Sequence, residues 1–338
     1  MTSREIIRRV IRHDAPPRLG YNFLDPNYDD ILNVNFIRLT RPDTDAFDEW
    51  GQYPTLRERT GFHGEMRMDS FGNIYGRLGG RTKGECVRGA LQQGWEAFAD
   101  YQFPVIDRAY VQSMRALHAE ASAKYVLVGL PVAVFSVLRD LRRMDNALMD
   151  TVAQPDRVAE FLERLTRLAV ETVSVAADCG ADGVIVADDW GMQFSPFISP
   201  KSFKALYKPA YKAITDACHE RGIDFILHSC GCVLPLVDDM IDAGIDVFQF
   251  DQPEASGSAL WAREYGRKAA FYCPVDIQKI MVTGDRALIE RTAIHMAQCF
   301  KASGGALIAK DYPSWGDIGV DITWAKWAMD AIVSHSHL

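Results

Sequence analysis

Three features are missing from this 338-residue sequence, and each absence removes a class of function. No run of apolar residues approaches the ~18 that a membrane-spanning helix needs, and the charged start MTSREIIRRVIRHDAPP lacks the apolar core of a secretion signal. No run of Lys and Arg occurs and the formal net charge is −8, so the sequence offers no basic stretch for nucleic acid. Seven scattered cysteines, an odd number, are typical of reduced thiols rather than a disulfide framework. These absences predict a cytoplasmic protein with neither a nucleic-acid nor a membrane partner.

What the sequence does contain is a series of short apolar, β-rich runs that alternate with helical patterns. The predicted strands are Arg18–Phe23, Val34–Leu39, Tyr125–Leu130, Gly183–Asp188, Phe225–Ser229, Val247–Asp251, Ala270–Cys273 and Ala306–Lys310. Continuous apolar strands suit a parallel sheet that is buried on both faces. Amphipathic helices are predicted at Pro155–Cys179, Pro200–Arg221 and Arg286–Ser303. This alternation predicts an α/β fold, a (β/α)8 barrel, with an open doubly wound sheet as the alternative.

The stretch Arg41–Gly94 interrupts the alternation. It is rich in Gly and Arg, and SFGNIYGRL within it is typical of a hairpin that stands outside the barrel. The chain shows neither an internal repeat nor a convincing linker. We therefore predict a single domain over residues 1–338, with 41–94 as an irregular arm near its N-terminal end.

Polar and metal-binding residues are concentrated where the predicted strands end. In a barrel, the carboxyl ends of the strands form the active-site face. Five consecutive predicted strands end in such residues: Asp188, Asp189 and Trp190; His228 and Cys230; Gln249 and Asp251; Cys273 and Asp276; and Lys310 and Asp311. We expect these strand ends to line one pocket.

His228 and Cys230 form the strongest candidate pair. Residues two apart in a strand point to the same side, so an imidazole nitrogen and a thiolate sulfur would converge on one point. Zinc accepts both ligand types, and Cys232 would be a further ligand or a bystander. Two ligands do not by themselves define a zinc site, and the alternative is a hydrogen-bonded core histidine beside inert thiols.

The acidic residues allow two interpretations each. Asp188 and Asp189 are neighbours, so at most one of them reaches the pocket directly, and the alternative is a helix cap or a salt bridge in a loop. Asp276 either reaches the pocket or caps the helix that is predicted to begin near Ile277.

Longer motifs carry a family resemblance. The stretch ADDWGMQFSPFISPKSFKALYKPAYKAI, followed by HSCG, FDQPEASG and CPVDIQ, resembles the uroporphyrinogen decarboxylase superfamily, and more narrowly its cobalamin-dependent methyltransferase and O-demethylase branch. IRHDAPPRLGYNF and ALQQGWEAFADYQFP are similar to that branch too. The resemblance implies a (β/α)8 barrel. It also implies transfer of a methyl group between a small methoxylated or methylated substrate and a corrinoid that a separate protein carries.

The resemblance also implies a set of site residues. In thiol-methylating members of the branch, zinc is held by an H-x-C strand end and by a later Cys after GG. His228 and Cys230 match the first two positions, whereas GGALIAKDYPSW has Lys310 and Asp311 where the Cys would stand. The third zinc ligand is then Asp311, Cys232 or Cys273. The predicted metal ligands are His228, Cys230 and Asp311, the predicted catalytic residues are Asp188, Asp189 and Lys310, and the predicted substrate-binding residues are Trp190, Gln249, Asp276 and Tyr312.

The partner and the rival functions follow from what the chain does not match. It has no D-x-H-x-x-G cobalamin signature, so a corrinoid protein would dock at the barrel mouth; a homodimer is a further expectation. The aromatic residues of the strand-to-helix loops would anchor that partner or roof the pocket: Trp190, Phe194, Phe197, Tyr312 and Trp315.

The decarboxylase itself resembles this chain less, because YNFLDPNYDD is acidic where a polyanionic substrate needs cations. The rival functions are a decarboxylase of a smaller substrate and a non-catalytic binding homologue.

Overall fold

The computed structural model describes residues 1–79, 84–118 and 123–338, so part of the predicted arm, 80–83, lies outside the described residues. In chain order the strands are β1 (Gly20–Asn22), β2 (Ile31–Val34), β3 (Leu39–Thr40), β4 (Glu65–Met68), β5 (Ile74–Arg77), β6 (Glu85–Arg88), β7 (Val105–Ile106), β8 (Tyr125–Gly129), β9 (Gly183–Ala187), β10 (Asp224–His228), β11 (Val247–Gln249), β12 (Ala270–Cys273) and β13 (Leu307–Lys310). The helices are α1 (Ser3–Ile11), α2 (Pro54–Thr60), α3 (Arg108–His118), α4 (Val134–Arg142), α5 (Met144–Ala153), α6 (Pro155–Asp178), α7 (Pro200–Ser202), α8 (Lys208–His219), α9 (Val237–Asp242), α10 (Ser258–Leu260), α11 (Arg286–Ala302) and α12 (Ile322–Ser334).

Eight parallel strands form a nearly closed barrel in the order β1-β13-β12-β11-β10-β9-β8-β2. The predicted (β/α)8 fold is therefore confirmed, and the open doubly wound sheet is wrong. The largest apolar cluster lies between the strands and the surrounding helices. A second cluster joins α1 to alternate residues of the strands, such as Ile226, Val247, Ala270 and Ile308, and so closes the amino end of the barrel. None of the helices in the described part combines the length and apolar character that crossing a bilayer requires.

Two predicted elements differ from the structure. The strand predicted at Val34–Leu39 lies earlier in the structure, as β2. Asp30, the residue before β2, is paired with Arg18 and buried instead of solvated, so the strand can begin directly after it. The helix predicted at Pro200–Arg221 is broken by a π-helical turn at Phe203–Tyr207 between α7 and α8. Pro209 has no N–H to donate to the preceding turn, and a wider turn accommodates that missing bond.

The arm is a small layer of its own. β4, β5 and β6 form an antiparallel sheet, and β4 and β5 are the hairpin that SFGNIYGRL predicts. α2 packs on this sheet through a separate apolar cluster of Leu56, Met66, Met68 and Ile74. The Tyr75 hydroxyl donates to the Asp140 carboxylate at 2.6 Å and so ties the sheet to α4 of the barrel.

Asp69, in the β4–β5 turn, is expected to make this arm sensitive to pH. Burial raises its pKa to about 6, against the hydrogen bonds from Asn73 that favour the charged form. The folded state therefore binds more protons than the unfolded state between about pH 4 and 6, and stability falls as pH rises through that window. Hydrogen exchange of residues 65–77 is expected to speed up from pH 4 to 6, after correction for the intrinsic rate, in the wild type but not in Asp69→Asn. An equal change in both proteins would assign the effect to another group.

Candidate active site at the carboxyl ends of the strands

A cavity of about 390 Å³ opens at the carboxyl ends of the barrel strands. It is lined by Asn35, Ile37, Gly129, Leu130, Pro131, Ile185, Ala187, His228 and Gln249. Most of this lining is apolar, and the polar groups come from one side of the barrel and from the end of β2. Such a cavity, at the small end of the range for ligand sites, suits a small molecule held by apolar contacts and a few polar ones.

Strand register explains why these side chains meet. His228 pairs with Ala187 on β9 and with Gln249 on β11, so the three residues lie side by side at one level. His228 lies two residues after Ile226, and Gln249 two residues after Val247, both of which point into the barrel. The two polar side chains therefore occupy the layer directly above the apolar cluster that closes the amino end of the barrel.

Asp189, His228 and Cys230 bring one ligand atom each to within 4.8 Å of one another. The distance from His228 Nε2 to Cys230 Sγ is 3.5 Å, and from His228 Nε2 to Asp189 Oδ1 it is 3.6 Å. The backbone N–H of Cys230 donates to Asp189 Oδ1 at 2.8 Å, which holds the loop after β9 against the loop after β10. Among the described residues, this is the group of three side chains with metal-ligand geometry.

The surroundings set the charge state of the thiol. Burial, and then the nearby Asp189 and Asp251 carboxylates, raise the pKa of Cys230 to about 12. The metal-free thiol is therefore neutral, and a cation bound beside it would be needed to ionise it near neutral pH.

The residues fit a zinc ion. Carboxylate, imidazole and thiolate are the ligand types zinc uses, and three protein ligands with one open position are typical of catalytic sites. Zinc bonds of roughly 2.0–2.3 Å place tetrahedral ligand atoms about 3.3–3.6 Å apart, and the two distances from Nε2, 3.5 and 3.6 Å, agree with that spacing. Zinc also favours a histidine whose other nitrogen is hydrogen-bonded, and His228 Nδ1 contacts the Gln249 side-chain oxygen.

The sequence-predicted third ligand is corrected by this geometry. Asp311 Oδ2 accepts a hydrogen bond from the Leu24 backbone at 2.8 Å and borders a different, 130 Å³ cavity with Ile322 and Lys326. The backbone N–H of Asp311, directly after β13, also donates to the Asn22 carbonyl of β1 at 3.1 Å. Cys232 and Cys273, which the sequence also allowed as third ligands, do not belong to the group around His228, whereas Asp189 does.

Asp188, predicted to be catalytic, is enclosed in the protein. Its side chain is fully buried, and its carboxylate accepts hydrogen bonds from Phe135 N, from Ser136 N and Oγ, and from the Tyr211 hydroxyl, at 2.6–3.0 Å. It thereby holds the first turn of α4, and burial raises its pKa. In this placement Asp188 holds the start of the helix, and its predicted catalytic role stays a prediction.

Three of the predicted substrate-binding residues lie outside the cavity lining. Trp190 is fully buried, stacks on Phe135 and donates to the Tyr211 hydroxyl. Asp276 accepts from the backbone of Gln278 and Lys279, as a helix-capping residue does. Tyr312 packs against Trp315. Gln249 is the one of the four that lines the cavity.

Lys310, the remaining catalytic candidate, is 7% exposed and its ammonium lies 3.1 Å from Asp251 Oδ1. It does not line the cavity, so its predicted part in proton transfer stays a prediction. Sequence reasoning missed Asn35, which directly follows β2 and lines the cavity. With the strand predicted over Val34–Leu39, Asn35 lies near the start of that strand, so it does not stand out as a residue at a carboxyl end.

Comparisons with known proteins agree with the architecture. Residues 101–309 match the family model of uroporphyrinogen decarboxylase (URO-D). The chain is similar in structure to a methyltransferase from Methanosarcina mazei, with a TM-score of 0.64, 12% identity and 99% of each chain covered. It is also similar to D-psicose 3-epimerase from Clostridium cellulolyticum H10, with a TM-score of 0.43, 10% identity, and 71% of this chain and 85% of that chain covered. The first likeness shows the fold, and the second is too weak to carry an argument. None of the curated proteins compared matches this chain.

Proposed function

Because the chain belongs to the uroporphyrinogen decarboxylase family, we propose that it is a methyltransferase. It moves a methyl group between a small methoxylated or methylated compound and a corrinoid carried by a separate protein. The observation that carries the proposal is the group Asp189, His228 and Cys230, of which His228 lines a cavity of about 390 Å³. The structural likeness to the Methanosarcina mazei methyltransferase supports the same class.

The cavity favours a small, uncharged substrate over the tetrapyrrole of the family's name. A tetrapyrrole with many carboxylates needs a large site with several cations, whereas the described lining residues include neither Lys nor Arg. Ile37, Leu130 and Ile185 offer an apolar wall to the carbon skeleton, and the Asn35 amide offers a donor and an acceptor at the rim. This composition suits a methyl ether or a methylated thiol.

We propose that Asp189, His228 and Cys230 would hold a zinc ion. Bound zinc would supply a Lewis acid for the oxygen or sulfur atom that carries or accepts the methyl group. The protein's own residues orient this site: Gln249 holds the imidazole, and the Cys230 N–H holds the Asp189 carboxylate. The Asp189 side chain is 42% exposed, so a substrate arriving from solvent can reach the group directly.

The corrinoid protein would approach over the loop that follows β9. Phe194 in this loop is 85% exposed and Met192 is 47% exposed. The loop touches the site, because Cys232 N donates to Met192 O at 2.7 Å. Of the other predicted anchors, Trp190 and Trp315 are buried, so Phe194 is the aromatic residue we propose as an anchor. A homodimer stays a prediction.

The proposed activity is tested by mixing the zinc-loaded chain with reduced corrinoid proteins and a panel of methoxylated compounds and methylated thiols. We expect the cobalt absorption spectrum to change from the Co(I) to the methylated form with at least one methyl ether. The same preparation is then assayed for decarboxylation of small carboxylic acids. Decarboxylation without any change of the corrinoid would favour a decarboxylase, and silence in both assays would favour a binding homologue.

A further inference from the structure

We propose that Lys310 and Asp251 are positioning residues that determine, through Gln249, which nitrogen of His228 carries the proton. These residues form one chain of polar contacts from β13 to β10. The proposal rests on the proposed function for its purpose, since a histidine can bind a metal only through a nitrogen without a proton. The contacts themselves are between side chains of the protein and involve neither a metal nor a substrate.

The chain of contacts begins with a buried ion pair. Lys310 Nζ lies 3.1 Å from Asp251 Oδ1, and the two side chains are 7% and 10% exposed. The ammonium also lies 5.5 Å from the centre of the Tyr272 ring, and the Tyr272 hydroxyl contacts the Asn22 side chain on β1. Lys310 is thereby held on two sides, and the position of the Asp251 carboxylate is fixed from β13 across β12.

Asp251 then fixes the orientation of the Gln249 amide. Gln249 Nε2 donates to Asp251 Oδ1 at 2.8 Å. A carboxylate accepts hydrogen bonds and does not donate them, so the opposite orientation would set the Gln249 oxygen against Asp251. Gln249 is 5% exposed, and water cannot readily offset that repulsion.

The fixed amide in turn determines the tautomer of His228. With its nitrogen bound to Asp251, Gln249 presents its oxygen to His228 Nδ1. An oxygen acceptor requires Nδ1–H, and the neutral ring then carries a lone pair on Nε2. Nε2 is the atom that faces Cys230 and Asp189, at 3.5 and 3.6 Å. The Lys310–Asp251 ion pair thus keeps His228 Nε2, the nitrogen that would bind the metal, free of a proton.

The tautomer is measured by ¹⁵N NMR of histidine-labelled, metal-free protein without substrate, at about pH 8.5, where an ordinary imidazole is neutral. The His228 signals are assigned by their loss in His228→Ala. We expect the Nδ1–H form to exceed the Nε2–H form by about tenfold in the wild type, the ratio that one hydrogen bond supports. Gln249→Leu removes the acceptor, and Asp251→Asn removes the orienting carboxylate. Each is expected to lower that ratio by about tenfold.

A reciprocal variant separates orientation from general damage. Gln249→Glu combined with Asp251→Asn puts the carboxylate at 249, facing His228 Nδ1, and the amide donor at 251, and is expected to restore the Nδ1–H form. Gln298→Leu on the exposed face of α11 is the control and is expected to leave the spectrum unchanged. An Nε2–H wild type, or an unchanged ratio in folded Gln249→Leu, would overturn the proposal. Failure of methyl transfer or of zinc binding would count against the proposed function instead, because neither is part of this measurement.

Discussion

The double variant His228→Ala, Cys230→Ala is expected to retain less than about a tenth of the zinc that the wild-type protein binds, because two of three protein ligands are lost. The measurement is the metal content of the purified protein after zinc loading and dialysis against a weak chelator. Methyl transfer to the corrinoid protein is expected to disappear with the metal. Stoichiometric zinc in the double variant would refute the assignment.

A matched pair of carboxylate variants identifies the third ligand. Asp189→Ala is expected to lower zinc affinity by roughly 100-fold, because it removes one of only three protein ligands. Asp311→Ala is expected to leave the affinity unchanged, because its carboxylate lies against Leu24 N. Cys232→Ala serves as the thiol control. Equal losses in the two aspartate variants would mean that the ligand set has been misassigned.

Asp188→Ala is expected to destabilise the fold by about 3 kcal/mol or more, the largest effect on stability that we expect of a single substitution here. It leaves the backbone N–H groups of Phe135 and Ser136 and the Tyr211 hydroxyl without their acceptor in the protein interior. The measurement is the urea midpoint, followed by both circular dichroism and tryptophan fluorescence so that a loss of two-state behaviour is seen.

Two further variants serve as comparisons for the stability of Asp188→Ala. Tyr211→Phe removes one donor to the same carboxylate, and we expect it to cost about 1–2 kcal/mol. Asp178→Ala, at the exposed end of α6, is expected to change stability by less than about 0.5 kcal/mol. If Asp188→Ala were as stable as Asp178→Ala but inactive, Asp188 would act in catalysis, as its position at a strand end suggests.

Much of the architecture could be predicted from local patterns. A parallel strand buried on both faces needs a continuous apolar run, and those runs located the seven barrel strands other than β2 to within two residues at each end. The alternation of side chains in a strand also predicted that His228 and Cys230 point to the same side, and the structure brings their ligand atoms together. The β2 prediction failed because Asp30 is typical of a solvated turn residue, whereas the structure buries it against Arg18.

The sequence by itself determined the alternation of strands and helices and the strands whose ends carry polar groups, because both follow from regular periods along the chain. It predicted the barrel and the convergence of His228 with Cys230, and the structure decided both against their alternatives. Only the tertiary structure decided which carboxylate joins them. Asp188, Asp189 and Asp311 all follow barrel strands, but at the ends of strands the regular alternation stops, and hydrogen bonds from other segments take over. Cys230 N turns Asp189 towards His228, the start of α4 draws Asp188 into the protein, and Leu24 N holds Asp311 at another cavity. Those donors are distant in sequence from the carboxylates they orient, so no local pattern records them.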